Sequence, residues 1–101
     1  MAFGIVWTKK AIESYSLNIE YLKEDWSEKE IQRFLLLTKR KLEVLKTFPG
    51  VGIAQDSTNQ NVRCTVLHKR VKLIYRINPV KREVELLLFW NTWQNPGKLK
   101  I

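Results

Sequence analysis

Three cations occupy alternating positions in two neighbouring apolar segments: Arg63 in 62–68, and Lys72 and Arg76 in 71–77. Strand side chains alternate between faces, so residues two apart lie on the same side of a sheet. If the two segments are strands joined by a symmetric turn at Lys69-Arg70, Arg63 faces Arg76 and Leu67 faces Lys72 across the ladder. Such a cluster would bind an anion, with guanidinium and ammonium groups converging on a phosphate or on the charge that develops in phosphoryl transfer. Glu85, expected on the same face of a following strand, offers a plainer reading: an Arg76–Glu85 ion pair worth under ~1 kcal/mol, with Arg63 merely solvated. Ile74, Leu87 and Phe89 are expected beside these charges, and an aromatic next to cations can stack on a base or take a partner's side chain. Both readings are open at this point.

Other chemistry is weakly signalled. His68 is the only histidine and has no Asp or Glu near it in sequence, so it reads as a turn residue and not a general base. Cys64 alternates onto the expected apolar face, where a thiol is inert. The chain has no Gly-rich phosphate loop, no metal-spaced His/Cys cluster and no serine elbow, so no metal and no cofactor are expected. Near the C-terminus Trp90 reads as core. Trp93 reads either as an exposed contact anchor or as cover for a helix end, followed by the basic Lys98 and Lys100.

The elements that must position these residues follow from periodicity. Residues 3–7 are a short apolar run ending at Thr8, an N-cap that turns a strand into a helix. From Lys9 to about Asp25 the 3.6-residue period groups Ala11, Ile12, Tyr15, Ile19, Leu22 and Trp26 on one face. Leu17 and Tyr21 fall on the other side, one turn apart. Ser27 with Glu30 is a capping box that opens a second helix running to about Thr47, where Phe-Pro-Gly stops it. Its stripe is Ile31, Phe34, Leu35, Leu42 and Leu45, leaving Leu37 and Val44 outside among Lys39, Arg40 and Lys41. Residues 49–60 read as an irregular loop.

Beyond it the period changes to two, giving strands at 62–68, 71–77 and 84–90 in a meander. One face would carry Val62, Cys64 and Val66, then Val71, Leu73, Tyr75 and Ile77, then Val84, Leu86, Leu88 and Trp90, the surface for the helices to cover. The predicted fold is α+β, ordered β-α-α-β-β-β, with a helical hairpin on one face of a small, mostly antiparallel twisted sheet.

A chain of 101 residues supports one core, so 1–101 is expected to be a single domain. It is 45% hydrophobic, which excludes a disordered chain, and its one cysteine excludes an internal disulfide. No apolar stretch approaches a membrane span and no signal sequence is evident, so a cytoplasmic location without membrane contact is expected. A formal charge of +8 suits a polyanionic partner, either nucleic acid or an acidic protein.

Six fragments together resemble the RelE/ParE toxins of type II toxin–antitoxin systems. They are Val6-Trp-Thr-Lys-Lys-Ala11, Tyr21-Leu22 before Trp26-Ser-Glu-Lys-Glu30, Leu45-Lys-Thr-Phe-Pro-Gly-Val-Gly52, Asn61-Val-Arg63, Leu73-Ile-Tyr-Arg76 and Phe89-Trp-Asn-Thr-Trp-Gln-Asn-Pro96. The match spans nearly the whole chain in the order of the elements above.

The resemblance implies a toxin held inactive by a cognate antitoxin whose extended and helical segment wraps it, in a complex of more than one chain. Leu17, Tyr21, Leu37 and Val44 are then the antitoxin contacts, and Phe89, Trp93, Lys98 and Lys100 the target contacts. The family contains ribosome-dependent mRNA endonucleases (RelE-like) and DNA gyrase inhibitors (ParE-like). For the first activity Arg63, Lys72 and Arg76 would be catalytic. Many related sequences carry Arg where this chain has Trp93, and no tyrosine follows Tyr75. These departures favour the gyrase branch and a toxin that is not an enzyme. A degenerate toxin and a non-toxic, basic RNA-binding domain are the remaining alternatives.

Overall fold

The computed structural model describes residues 2–25, 27–55, 61–68 and 70–92. Strand β1 (Gly4–Trp7) leads into helix α1 (Lys9–Asp25), and α2 (Glu28–Thr47) returns to a 3-10 turn at Pro49–Val51. Strands β2 (Ile53–Ala54), β3 (Val62–His68), β4 (Val71–Asn78) and β5 (Glu83–Asn91) follow. They form one five-stranded sheet in the order β1-β5-β4-β3-β2. β1 is parallel to β5 and the other pairs are antiparallel. The α+β class and the element order are as expected. The two-residue β2, inside the segment read as irregular, is an addition.

Thr8 and Ser27 both act as N-caps, while the Glu30 carboxylate of the expected capping box lies toward His68. The Thr8 hydroxyl accepts from the Ala11 N–H at 3.2 Å and donates to the Leu86 carbonyl at 2.6 Å, so it closes the start of α1 and pins it to β5. Ser27 accepts from the Glu30 N–H at 3.3 Å. The core joins Ala11 and Leu22 of α1, Phe34 and Leu45 of α2, and Leu67, Val71, Leu73, Tyr75, Val84, Leu86 and Phe89 of the sheet.

Helix α1 is rotated from its expected orientation. Ile12 is 53% exposed, while Ser14 and Asn18 face β5. β1 pairs with β5 only as far as Leu86. Beyond that point the Phe89 N–H donates to the Ser14 hydroxyl at 3.0 Å, and the Phe89 carbonyl accepts from the Asn18 amide at 2.8 Å. Backbone groups removed from water need such partners, and they draw two polar residues inward where periodicity favoured an isoleucine. In α2, Thr38 is buried and satisfied by the Phe34 carbonyl at 2.9 Å, whereas Leu35 is exposed.

Two β-bulges re-sort the faces of the sheet. His68 pairs with Val71 as a symmetric turn requires, but Val66 then pairs with Lys72, so Leu67 is an extra residue. Every β3 residue before it changes side: Arg63, Thr65 and Leu67 face the helices, and Val62, Cys64 and Val66 face away, Val66 being 57% exposed. In β5, Leu86 pairs with Tyr75 and Leu88 with Ile74, leaving Leu87 extra. Phe89 therefore turns into the core, and Leu88 and Trp90, expected there, turn outward.

Tyr75 locks the end of α2 onto the sheet. Its buried hydroxyl donates to the Pro49 carbonyl at 2.5 Å and accepts from the Gly52 N–H at 2.9 Å. A Cβ on Gly52 would lie 2.6 Å from that hydroxyl and 2.9 Å from the Cys64 carbonyl, whereas Gly50 faces open space. Urea denaturation of Gly52→Ala is expected to show a loss of about 1–3 kcal/mol, with Gly50→Ala close to the parent.

Candidate functional site

The three cations that drew attention in the sequence are not brought together. Arg63 lies on the helix side, where one guanidinium nitrogen donates to the Gly52 carbonyl at 2.8 Å and to the Gly50 carbonyl at 3.3 Å. It joins Tyr75 in holding the turn after α2. Lys72 and Arg76 lie on the opposite face of the sheet. Arg76 Nε is 2.7 Å from Glu85 Oε1, the ion pair expected across β4 and β5. That hydrogen bond holds the Glu85 carboxyl below the usual range and raises the Arg76 guanidinium. The Lys72 ammonium sits 5.9 Å from the centroid of the cross-strand Trp90 ring, a cation–π contact. Burial pushes the Cys64 thiol up, with the Lys72 charge acting against it.

A different cluster forms at the β3–β4 turn. Opposite Val71 on the helix side of the sheet, His68 has its side chain 5% exposed, with Nε2 3.5 Å from the Glu30 carboxylate of α2. The His68 ring meets Phe34 edge-on at 6.5 Å. The expectation that no carboxylate orients this histidine is thus corrected: the partner is 38 residues away in sequence and is delivered by the packing of α2 on β3. Glu30, Arg33, Leu37 and His68 line an open depression of about 350 Å³. A second one of about 420 Å³, lined by Lys29, Glu30, Gln32, Arg33 and Leu36, adjoins it across Arg33. Among the described residues no group of three or more His, Cys, Asp or Glu is placed to hold a metal ion.

No family model and no curated protein matches the chain. Among solved structures it is similar to a YoeB/ParE toxin from Agrobacterium tumefaciens, with 12% identity, 87% of this chain and 96% of that chain covered, and a TM-score of 0.60. It is also similar to a YoeB-YefM complex from Staphylococcus aureus, with 12% identity, 88% and 95% covered, and a TM-score of 0.54. The chain has the YoeB/ParE toxin fold. The architecture that the sequence resemblance implied is therefore observed.

On this fold, Leu17, Tyr21 and Val44 lie on the outer helix surfaces and are exposed. Leu37 is half-buried at the rim of the His68 depression. Phe89 is not on a contact surface: it is 2% exposed and stacks on Trp7 at 5.4 Å, with Tyr15 at 4.8 Å. Trp93, Lys98 and Lys100 lie outside the described residues. Among the described residues no helix is long and apolar enough to cross a membrane.

Arg63→Ala leaves two turn carbonyls without their donor and is expected to cost about 1–3 kcal/mol in chemical denaturation. Arg76→Ala removes a half-exposed pair and is expected to cost less than ~1 kcal/mol. Because the folded Glu85 pKa is depressed, the pair stabilises the protein above the ordinary carboxylate range, and that contribution is lost as pH falls through the depressed value. An NMR titration of the Glu85 side-chain carboxyl should show its midpoint rising in Arg76→Ala.

Proposed function

We propose that this protein is the toxin of a type II toxin–antitoxin module, neutralised by a cognate antitoxin and acting in the cytoplasm by binding DNA gyrase. One observation carries the choice of a binding mode over RNA cleavage: Arg63 is spent on the Gly50 and Gly52 carbonyls, on the opposite side of the sheet from Lys72 and Arg76. A phosphoryl-transfer centre requires its cations to converge on one group as charge develops there, and these point apart. The fold supports the toxin reading, and the similarity to a YoeB-YefM complex supports a protein antitoxin. Exposed Leu17, Tyr21 and Val44 give that antitoxin apolar surface to cover.

A second reading, a RelE-like mRNA endonuclease, is favoured by Lys72 beside Trp90, an ammonium next to a ring able to stack on a base. Inducible expression in a bacterial host separates the two. The gyrase reading expects growth arrest relieved by the antitoxin, an induced DNA-damage reporter and intact messenger RNA. Cleaved messenger RNA that becomes intact in Lys72→Ala would establish the nuclease instead. Normal growth at good expression would point to a degenerate toxin or a plain RNA-binding domain.

A further inference from the structure

At the β2 edge of the sheet the surface changes character. Residues 48–55 include no charged side chain, in a chain that is 28% charged and carries a formal charge of +8. They are nevertheless in contact with water: Phe48 is 67%, Val51 51% and Ile53 77% exposed. Ile53 stands opposite Cys64, so it shares the face that Val62, Cys64 and Val66 of β3 turn away from the helices. Val66 is exposed as well. An apolar belt thus runs from the end of α2 around the edge strand and onto β3. Its backbone is held from beneath. Tyr75 binds the Pro49 carbonyl and the Gly52 N–H, and Arg63 binds the Gly50 and Gly52 carbonyls. A segment fixed in this way has little freedom left to lose when it is covered. The same bonds turn the Arg63 guanidinium inward and leave the belt uncharged. Lys72, opposite Val66, borders it with its ammonium over Trp90.

We propose that this belt is a contact between two copies of the chain, related by a two-fold axis that passes close to Ile53 and Val66. Charge selects this occupant. An acidic protein would find no cation on the belt to pair with, and a nucleic acid would lay its phosphates over uncharged side chains. A second copy brings the same uncharged, apolar surface, and a two-fold contact need only be complementary to itself. Elsewhere two such chains would set cation against cation, as on the outer side of α2 with Lys39, Arg40 and Lys41. β2 also ends the sheet, and an edge strand is where two sheets can meet. A contact of this extent buries on the order of 1,000 Å² in total, the low end for specific interfaces. The dimer is therefore a reversible one, half-formed on the order of 0.1 mM chain. It does not rest on the toxin reading.

The test is sedimentation equilibrium of the full chain at concentrations up to about 1 mM, in low and in high sodium chloride. A monomer–dimer equilibrium is expected that tightens as salt is raised, because salt screens the repulsion between two +8 chains and leaves the apolar contact in place. Ile53→Lys/Val66→Lys is expected to weaken association by about tenfold or more, with circular dichroism and the melting temperature held because both side chains are exposed. Ile12→Lys, a charge placed at an exposed isoleucine of α1, should leave the equilibrium as it is. An equimolar mixture of Ile53→Lys/Val66→Lys with Ile53→Glu/Val66→Glu should associate again, since a two-fold contact brings the opposite charges together. A chain that stays monomeric at every concentration, a dimer that salt loosens, equal association by the wild type and the double-lysine variant, or an equal loss in Ile12→Lys would each overturn the proposal.

Discussion

Between Val66 and His68 the β3–β4 ladder takes in one residue more on the β3 side, and much of the protein's chemistry follows from where that residue falls. A shift of one position moves a whole strand's side chains to the opposite face. Arg63 consequently meets the carbonyls of the turn after α2. The cations left on the far face are Lys72 and Arg76, one over Trp90 and the other bound to Glu85. The bulge thus separates an anion site that the alternation of residue types would otherwise have assembled.

A second constraint lies at the edge of β5. β1 covers that edge only as far as Leu86, and α1 completes it with the side chains of Thr8, Ser14 and Asn18. Three small polar residues therefore set the rotation of α1 and bring Tyr15 against Trp7, Phe34 and Phe89 at ring distances of 4.8–5.6 Å. The aromatic cluster ties β1, both helices and β5 together. It leaves Ile12, Leu17 and Tyr21 outward, so the apolar surface of the hairpin is a by-product of how the sheet edge is satisfied.

The boundaries of the helices and of the longer strands were legible because local chemistry marks them: Thr8 and Ser27 as caps, Pro49 as a stop and the change of period at Val62; the two-residue β2 carries no such mark. The order of strands and helices followed from the same signals. The faces of β3 were not legible. Both of its residue parities carry apolar side chains, and choosing the parity without Arg63 is reasonable until the turn carbonyls that accept its hydrogen bonds are known. The bulge at Leu87 leaves no local mark either, and it exchanges the places expected for Phe89 and Trp90. Glu30 was recognised as a capping residue, yet its proximity to His68 depends on a contact between α2 and β3 that no short-range pattern encodes.

What results is a sheet whose cations are largely engaged in its own structure and a helical hairpin with unused apolar and basic surface, the distribution expected of a protein that works by binding. Purified protein added to DNA gyrase in one reaction, and to translating ribosomes in another, tests that most directly. The account predicts inhibited supercoiling with accumulation of cleaved DNA, and uncut messenger RNA. Messenger RNA cut on the ribosome with gyrase unaffected would contradict it.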